Sequence, residues 1–126
     1  MNKWALVFFL ALAASGPKMH FDNRKHNFGQ QQRYADVEHK FLFSNHGDAP
    51  LVIKSHETSC HCTSAHYGME PVMPGENGWV TVRYDATKVG VFYRKVTLHT
   101  NAGTVVLAIK GEILADHSKV DPVTGD

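Results

Sequence analysis

Long apolar runs are scarce in this chain of 126 residues. The longest, Trp4 to Ala14, falls short of the roughly 20 residues that a membrane-spanning helix needs, so the sequence offers no transmembrane segment. A surplus of charge is also missing: 13 Lys and Arg stand against 12 Asp and Glu. That balance removes the basic face required for nucleic acid binding. Only two cysteines are present, too few for a scaffold stapled by disulfides. Apolar residues do not recur at i, i+3, i+4 and i+7 over any long window, which argues against helices. The Gly-x-Ser-x-Gly elbow, the His-Glu-x-x-His zinc motif and the Gly-x-x-x-x-Gly-Lys phosphate loop are all absent. Asp22, Asp36, Asp48 and Asp85 do not make a spaced calcium loop, and Glu57 and Glu70 read as solvated carboxylates rather than an acid/base pair. A non-enzymatic protein is therefore expected, and the length excludes large multidomain architectures.

Residues 1–15 have the form of a signal peptide: Lys3 supplies the positive end, Trp4 to Ala14 the apolar run, and Ala13-Ala14-Ser15 the small-residue cleavage site. No cysteine at that site is available for lipid attachment, so export to a free periplasmic or extracellular state is expected. The following residues alternate with period two. Val37, His39, Phe41 and Phe43 share one strand face, with Leu42 out of phase, and Val80, Val82 and Tyr84 share another. Leu51-Val52-Ile53 restarts an extended run, and Phe92, Val96 and Leu98 lead through Asn101-Ala102-Gly103 into Val105, Leu107 and Ile109 as a hairpin. Between Thr58 and Gly78 the alternation fails, which reads as a long loop entering the turn Pro74-Gly75. Residues 114–126 are polar and read as a flexible tail. The expected fold is an all-β antiparallel sandwich of about seven strands over residues 16–113.

Several stretches resemble a known family: His26-Asn27-Phe28-Gly29, Phe41 to Ile53, Thr58-Ser59-Cys60-His61-Cys62-Thr63, Pro71 to Glu76, Gly90-Val91-Phe92, Thr100-Asn101 and Ile109-Lys110-Gly111-Glu112. In this order, over roughly Phe21 to Ile113, they are similar to domain-of-unknown-function family 1573. The resemblance implies an exported bacterial immunoglobulin-like sandwich, related in architecture to major-sperm-protein-like and Hydin-like domains, and implies no established activity. Where the family motif is SCGCT, this chain carries His61 in place of glycine.

The candidate site is the segment holding His56, Cys60, His61, Cys62, His66, Met69 and Met73. Three readings are open. In an oxidising compartment Cys60 and Cys62 form a short-range disulfide that shapes the loop, gaining little loop-closure entropy because the ring spans one residue. Alternatively, Cys60 and Cys62 ligate copper or zinc, with His61, His66, Met69 or Met73 completing the shell: thiolate and thioether favour Cu(I), two thiolates with two imidazoles favour Zn(II). The third reading is thiol–disulfide exchange, with His61 or His66 lowering a cysteine pKa. Elsewhere, His39 is expected in the core with a hydrogen bond. His99 is expected on a solvated face, and His20, His26, His46 and His117 at the surface. Tyr67, Trp79 and Tyr93 are expected to pack. The functional expectation is an exported binding or envelope scaffold module whose partner is another envelope protein, met at an edge strand.

Overall fold

The computed structural model describes residues 15–115; the residues ahead of Ser15, expected to be a signal peptide, and those beyond Ala115, expected to be a tail, lie outside the described residues. Eight strands form: β1 (Met19–Phe21), β2 (Lys25–Gln32), β3 (Val37–Asn45), β4 (Ile53–Thr58), β5 (Thr63–Tyr67), β6 (Asn77–Tyr84), β7 (Gly90–Thr100) and β8 (Gly103–Leu114). They make two four-stranded sheets in the orders β1-β3-β6-β5 and β2-β8-β7-β4. Between the sheets lie Phe41, Val80, Val82, Phe92, Val96, Leu98, Leu107 and Ile109, all buried. These are the inward members of the period-two pattern, so the alternation positions the core as expected. Leu42 is 65% exposed, which accounts for its being out of phase. The β7–β8 hairpin also forms, its turn closed by the Thr100 hydroxyl donating to the Gly103 carbonyl (2.7 Å) and accepting from Ala102 N–H (2.9 Å).

Three strands escape the alternation pattern. β5 lies inside the segment read as a loop and turns only Thr63 and Ala65 fully inward, too little apolar signal to announce a strand. β1 is three residues long. β2 is a polar edge strand whose register shifts between Asn27 and Gln30, where Gly29 has a φ of 67°. It also departs from the expected all-antiparallel arrangement: β2 runs parallel to β8, while the other strand pairs are antiparallel. The chain enters β2 from β1 in the other sheet and leaves it for β3 in that same sheet, so no hairpin joins β2 to β8.

Asn45, at the end of β3, has no exposed surface. Its amide nitrogen donates to the carbonyls of Ala49 (2.7 Å) and Val72 (2.9 Å), and its amide oxygen accepts from Gly47 N–H (2.9 Å) and Lys18 N–H (3.2 Å). Its own backbone donates to Glu76 O (3.0 Å) and accepts from Gly75 N–H (2.9 Å). One side chain thereby joins the approach to β1, the turn after β3 and the loop before β6. Removing it leaves several buried backbone groups unsatisfied, at about 1–3 kcal/mol each before relaxation or entry of water. Asn45→Ala is expected to lower the urea midpoint by a loss of about 2–4 kcal/mol with an unchanged m-value, whereas Lys54→Ala, on an exposed strand position, should leave the midpoint within error.

Candidate functional site

The chain passes from one sheet to the other between β4 and β5, and Cys60 and Cys62 lie in this crossover joined by a disulfide. The crossover is held by its neighbours on all sides. Ser59 N–H donates to Lys95 O (3.1 Å), Lys95 N–H donates to Ser59 Oγ (3.0 Å), and the Thr58 hydroxyl donates to Cys60 O (3.0 Å). Asp85 N–H donates to Cys62 O at 2.7 Å, tying the segment to the end of β6. Cys62 packs against the core, and Arg94 on β7 donates its Nε–H to Cys62 Sγ at 3.2 Å. The Arg94 guanidinium also lies 6.0 Å from the centre of the Tyr84 ring, which stacks on Phe92 at 3.9 Å. Further along the same opening, His56 on β4 and Tyr67 on β5 share a 2.8 Å hydrogen bond between Nδ1 and the phenol, closing the gap between two edge strands.

A shallow cavity of about 250 Å³ lies beside the disulfide, with His61, Cys62, Tyr34 and Asp85 among its walls. Tyr34 is 64% exposed and holds a φ of 70°, a left-handed conformation uncommon for a bulky residue. Its backbone is kept there by donation to Ala86 O (2.8 Å), and the neighbouring Arg33 guanidinium covers the ring at 4.8 Å while its Nε–H donates to Thr87 O (2.8 Å). An exposed aromatic on strained backbone is a recurrent mark of a contact site. No periodic signal announced Tyr34.

The other sulfur and imidazole side chains do not converge on the cysteines. His66 is exposed on the outer face of its sheet, opposite Thr81, because buried Ala65 beside it points inward. Met69 and Met73 are exposed in the loop after β5, and that five-residue strand, on the order of 15 Å long, separates them from Cys62. Among the described residues no group of three or more His, Cys, Asp or Glu is arranged to hold a metal ion. The geometry unites Cys60 and Cys62 with each other and leaves His61 exposed between them.

Histidines at the opposite opening pair in a way that the sequence did not suggest. His39 on β3 stacks on His26 of β2 at 3.6 Å with an 8° interplanar angle, flanked edge-on by Phe41 and Phe28. His26 therefore belongs to a contact between the sheets, and His39 is held by stacking in place of the expected hydrogen bond. His20 and His46 stack likewise at 4.4 Å, while His99 faces Glu57 at 3.4 Å on the surface, as expected. Tyr67 packs against the core, but Trp79 (39% exposed) and Tyr93 (49%) face outward, against the packing expectation. Outward Leu42 and Trp79 are direct cross-strand partners, so they form one exposed apolar patch, with the Lys40 ammonium 5.4 Å from the indole.

Two stacked four-stranded sheets with a crossover between edge strands define a protein of the immunoglobulin-like and PapD-like sandwich class. The chain belongs to the family described as "Protein of unknown function (DUF1573)", whose model matches residues 19–113. No curated protein matches it. Among solved structures it is similar to a protein of unknown function from Porphyromonas gingivalis W83, with 18% identity and a TM-score of 0.70 over 82% of this chain and 50% of that one. The chain thus spans half the length of that structure. It is also similar to PapD-like domain 7 of human CEP192, with 10% identity and a TM-score of 0.63 over 79% of this chain and 87% of that one. These likenesses establish the fold.

Burial, and secondarily the charge of His26 when protonated, holds the pKa of His39 below the ordinary histidine value. The unfolded chain then binds more protons than the native one below the unfolded value of about 6.5. The contribution is complete above that pH and is lost as pH falls through the window below it. Thermal midpoints are expected to drop between pH 7.5 and pH 5, and His39→Gln should shrink that drop. A variant retaining the full dependence would assign it to other groups.

Proposed function

We propose that this protein is an exported, non-enzymatic binding module that docks another envelope protein by strand addition at β5. The observation that carries this reading is the pairing of a free strand edge with an exposed apolar patch. β5 pairs with β6 on one side and ends its sheet on the other. It carries no Lys, Arg, Asp, Glu or proline, the usual devices that block edge pairing. Next to it on β6 sits Trp79, beside Leu42. Opposite Trp79, one step beyond the Tyr67–Val80 pair, the chain has only Gly68, which lines with Trp79 a cavity of about 240 Å³. A strand added along β5 would satisfy the edge amides through its backbone and lay side chains over the uncovered indole.

The other edges are less suited to such a partner. β1 is three residues long, β2 is kinked at Gly29, and β4 carries Lys54, His56 and Glu57. The disulfide fits this role as a clamp on the crossover that leads into β5, keeping the edge extended before a partner arrives. Non-enzymatic action fits the exposed character of the patch and the absence of a recognised catalytic motif from the sequence.

The test is photo-crosslinking in cells of the source organism, with a photoreactive residue at Ser64 on β5 or at Val106 on the opposite sheet. A discrete adduct from Ser64, lost on Trp79→Ser and absent from Val106, is expected. Because Trp79 is already partly exposed, Trp79→Ser should shift the thermal midpoint by only a few degrees. Equal adducts from both positions, or none from Ser64, would overturn the assignment.

A further inference from the structure

Arg94 alternates with buried Phe92 and Val96, so its side chain leaves β7 on the inward side, and it is half-buried at the end of the sandwich. Among the described residues no carboxylate lies within ion-pair distance of it: the carboxylate pairs there are His20–Asp22, Arg83–Asp36, Arg83–Glu38 and His99–Glu57. What the guanidinium meets is sulfur, through the 3.2 Å Nε–H contact with Cys62 Sγ, and the Tyr93 carbonyl at 2.9 Å. A half-buried cation whose nearest acceptors are a neutral sulfur and a carbonyl gains strongly when that sulfur becomes an anion.

We infer that the Cys60–Cys62 disulfide is exchange-active, with Cys60 as the sulfur attacked and Cys62 as the leaving thiolate held by Arg94. Both cysteines are half-buried; Cys62 packs on the core and lies 3.6 Å from the Thr63 hydroxyl, while Cys60 stands outside that core contact. Cys60 Sγ accepts only the Cys62 backbone N–H, at 3.1 Å. A charged donor outweighs a neutral amide, so the electron pair is best received at Cys62.

The co-reactant is a thiol, either two low-molecular-weight molecules or one protein dithiol. Its thiolate attacks Cys60 Sγ and forms a mixed disulfide; the Cys60–Cys62 bond breaks, and its electron pair leaves on Cys62 as thiolate against Arg94. A second thiolate attacks the co-reactant's sulfur, releasing Cys60, which takes a proton from water. Two co-reactant thiols are thus oxidised to one disulfide as the protein disulfide gains two electrons. Arg94 is a positioning residue, since it touches the leaving sulfur and exchanges no electrons itself. Tyr34, His61, Arg83, Tyr84 and Asp85 line the cavity beside Cys62; Asp85 is the carboxylate among them, and Arg83 pairs with Asp36 and Glu38.

The test equilibrates the oxidised full chain with reduced and oxidised glutathione under anaerobic conditions at fixed neutral pH. Trapping by alkylation, intact mass and peptide mapping then report the state of each cysteine. Arg94→Gln is expected to shift the equilibrium about tenfold toward the disulfide, and Arg94→Lys, which keeps the charge, to restore most of it. In wild type the glutathione adduct should map to Cys60. An equilibrium unchanged in Arg94→Gln, or an adduct mainly on Cys62, would overturn the inference. If Arg94→Gln fails to fold, adduct mapping in wild type and in Arg94→Lys still decides it. Strand addition at β5 is scored separately by crosslinking, so either idea can fail without the other.

Discussion

Asn45 is a polar side chain placed where no water reaches, and its four side-chain hydrogen bonds run to backbone groups in three separate stretches of chain. Such a group stabilises only when fully matched, because each unmatched donor or acceptor in the interior is costly. Its demands therefore constrain where Lys18, the Ala49 turn and the Val72 loop can lie. The Leu51–Val72 bridge follows from that placement, with Leu51 N–H donating to Val72 O (2.9 Å) and Val72 N–H to Leu51 O (2.8 Å). This brings the chain into β4 at the right height to pair with β7. The entry to β4, the long loop before β6 and the first strand all take their register from one amide.

A two-layer sandwich has two open sides, and this one treats them differently. On one side the β4 and β5 edges are joined by the crossover, closed on itself by the Cys60–Cys62 disulfide, and by the His56–Tyr67 hydrogen bond. On the other, β2 and β3 meet through stacked imidazoles between phenyl rings. The first side is shaped by a covalent sulfur bond within its crossover, the second by a contact between titratable rings. Both lie at joints between the sheets, where a small change in attraction has most leverage on how the layers sit.

What could be read in the sequence was whatever the hydrophobic effect writes with period two. β3, β6, β7 and β8 are central or long, bury most of one face, and so announce themselves through Phe41, Val82, Leu98 and Leu107. β1, β2 and β5 are edges; they bury little, and their existence depends on backbone bonds to a neighbour that no local pattern reveals. The cysteine pair was legible because residue type suffices to suggest a bond. Arg94 was not, since it lies 32 residues from Cys62 and meets it only after β7 and the crossover have packed. Tyr34 and the His26–His39 stack were hidden for the same reason: their significance is an angle or a distance, which composition does not carry. His66, Met69 and Met73 were misleading in the opposite sense, since nearness in sequence did not become nearness in space.

The parallel alignment of β2 with β8 has a kinetic consequence. Lys25 and Ala108 face one another although roughly 80 residues separate them, and closing so long a loop costs entropy before any ladder bond repays it. The β1-β3-β6-β5 sheet needs nothing beyond Tyr84, whereas the second sheet has β8 at its centre, flanked by β2 and β7. During synthesis one layer can therefore assemble while the other waits, its strands β2 and β4 unable to share a sheet until the chain has been made through Leu114. The inward faces of the first layer stay uncovered throughout that interval, so the time for which this chain is vulnerable to aggregation is set by the arrival of its last strand.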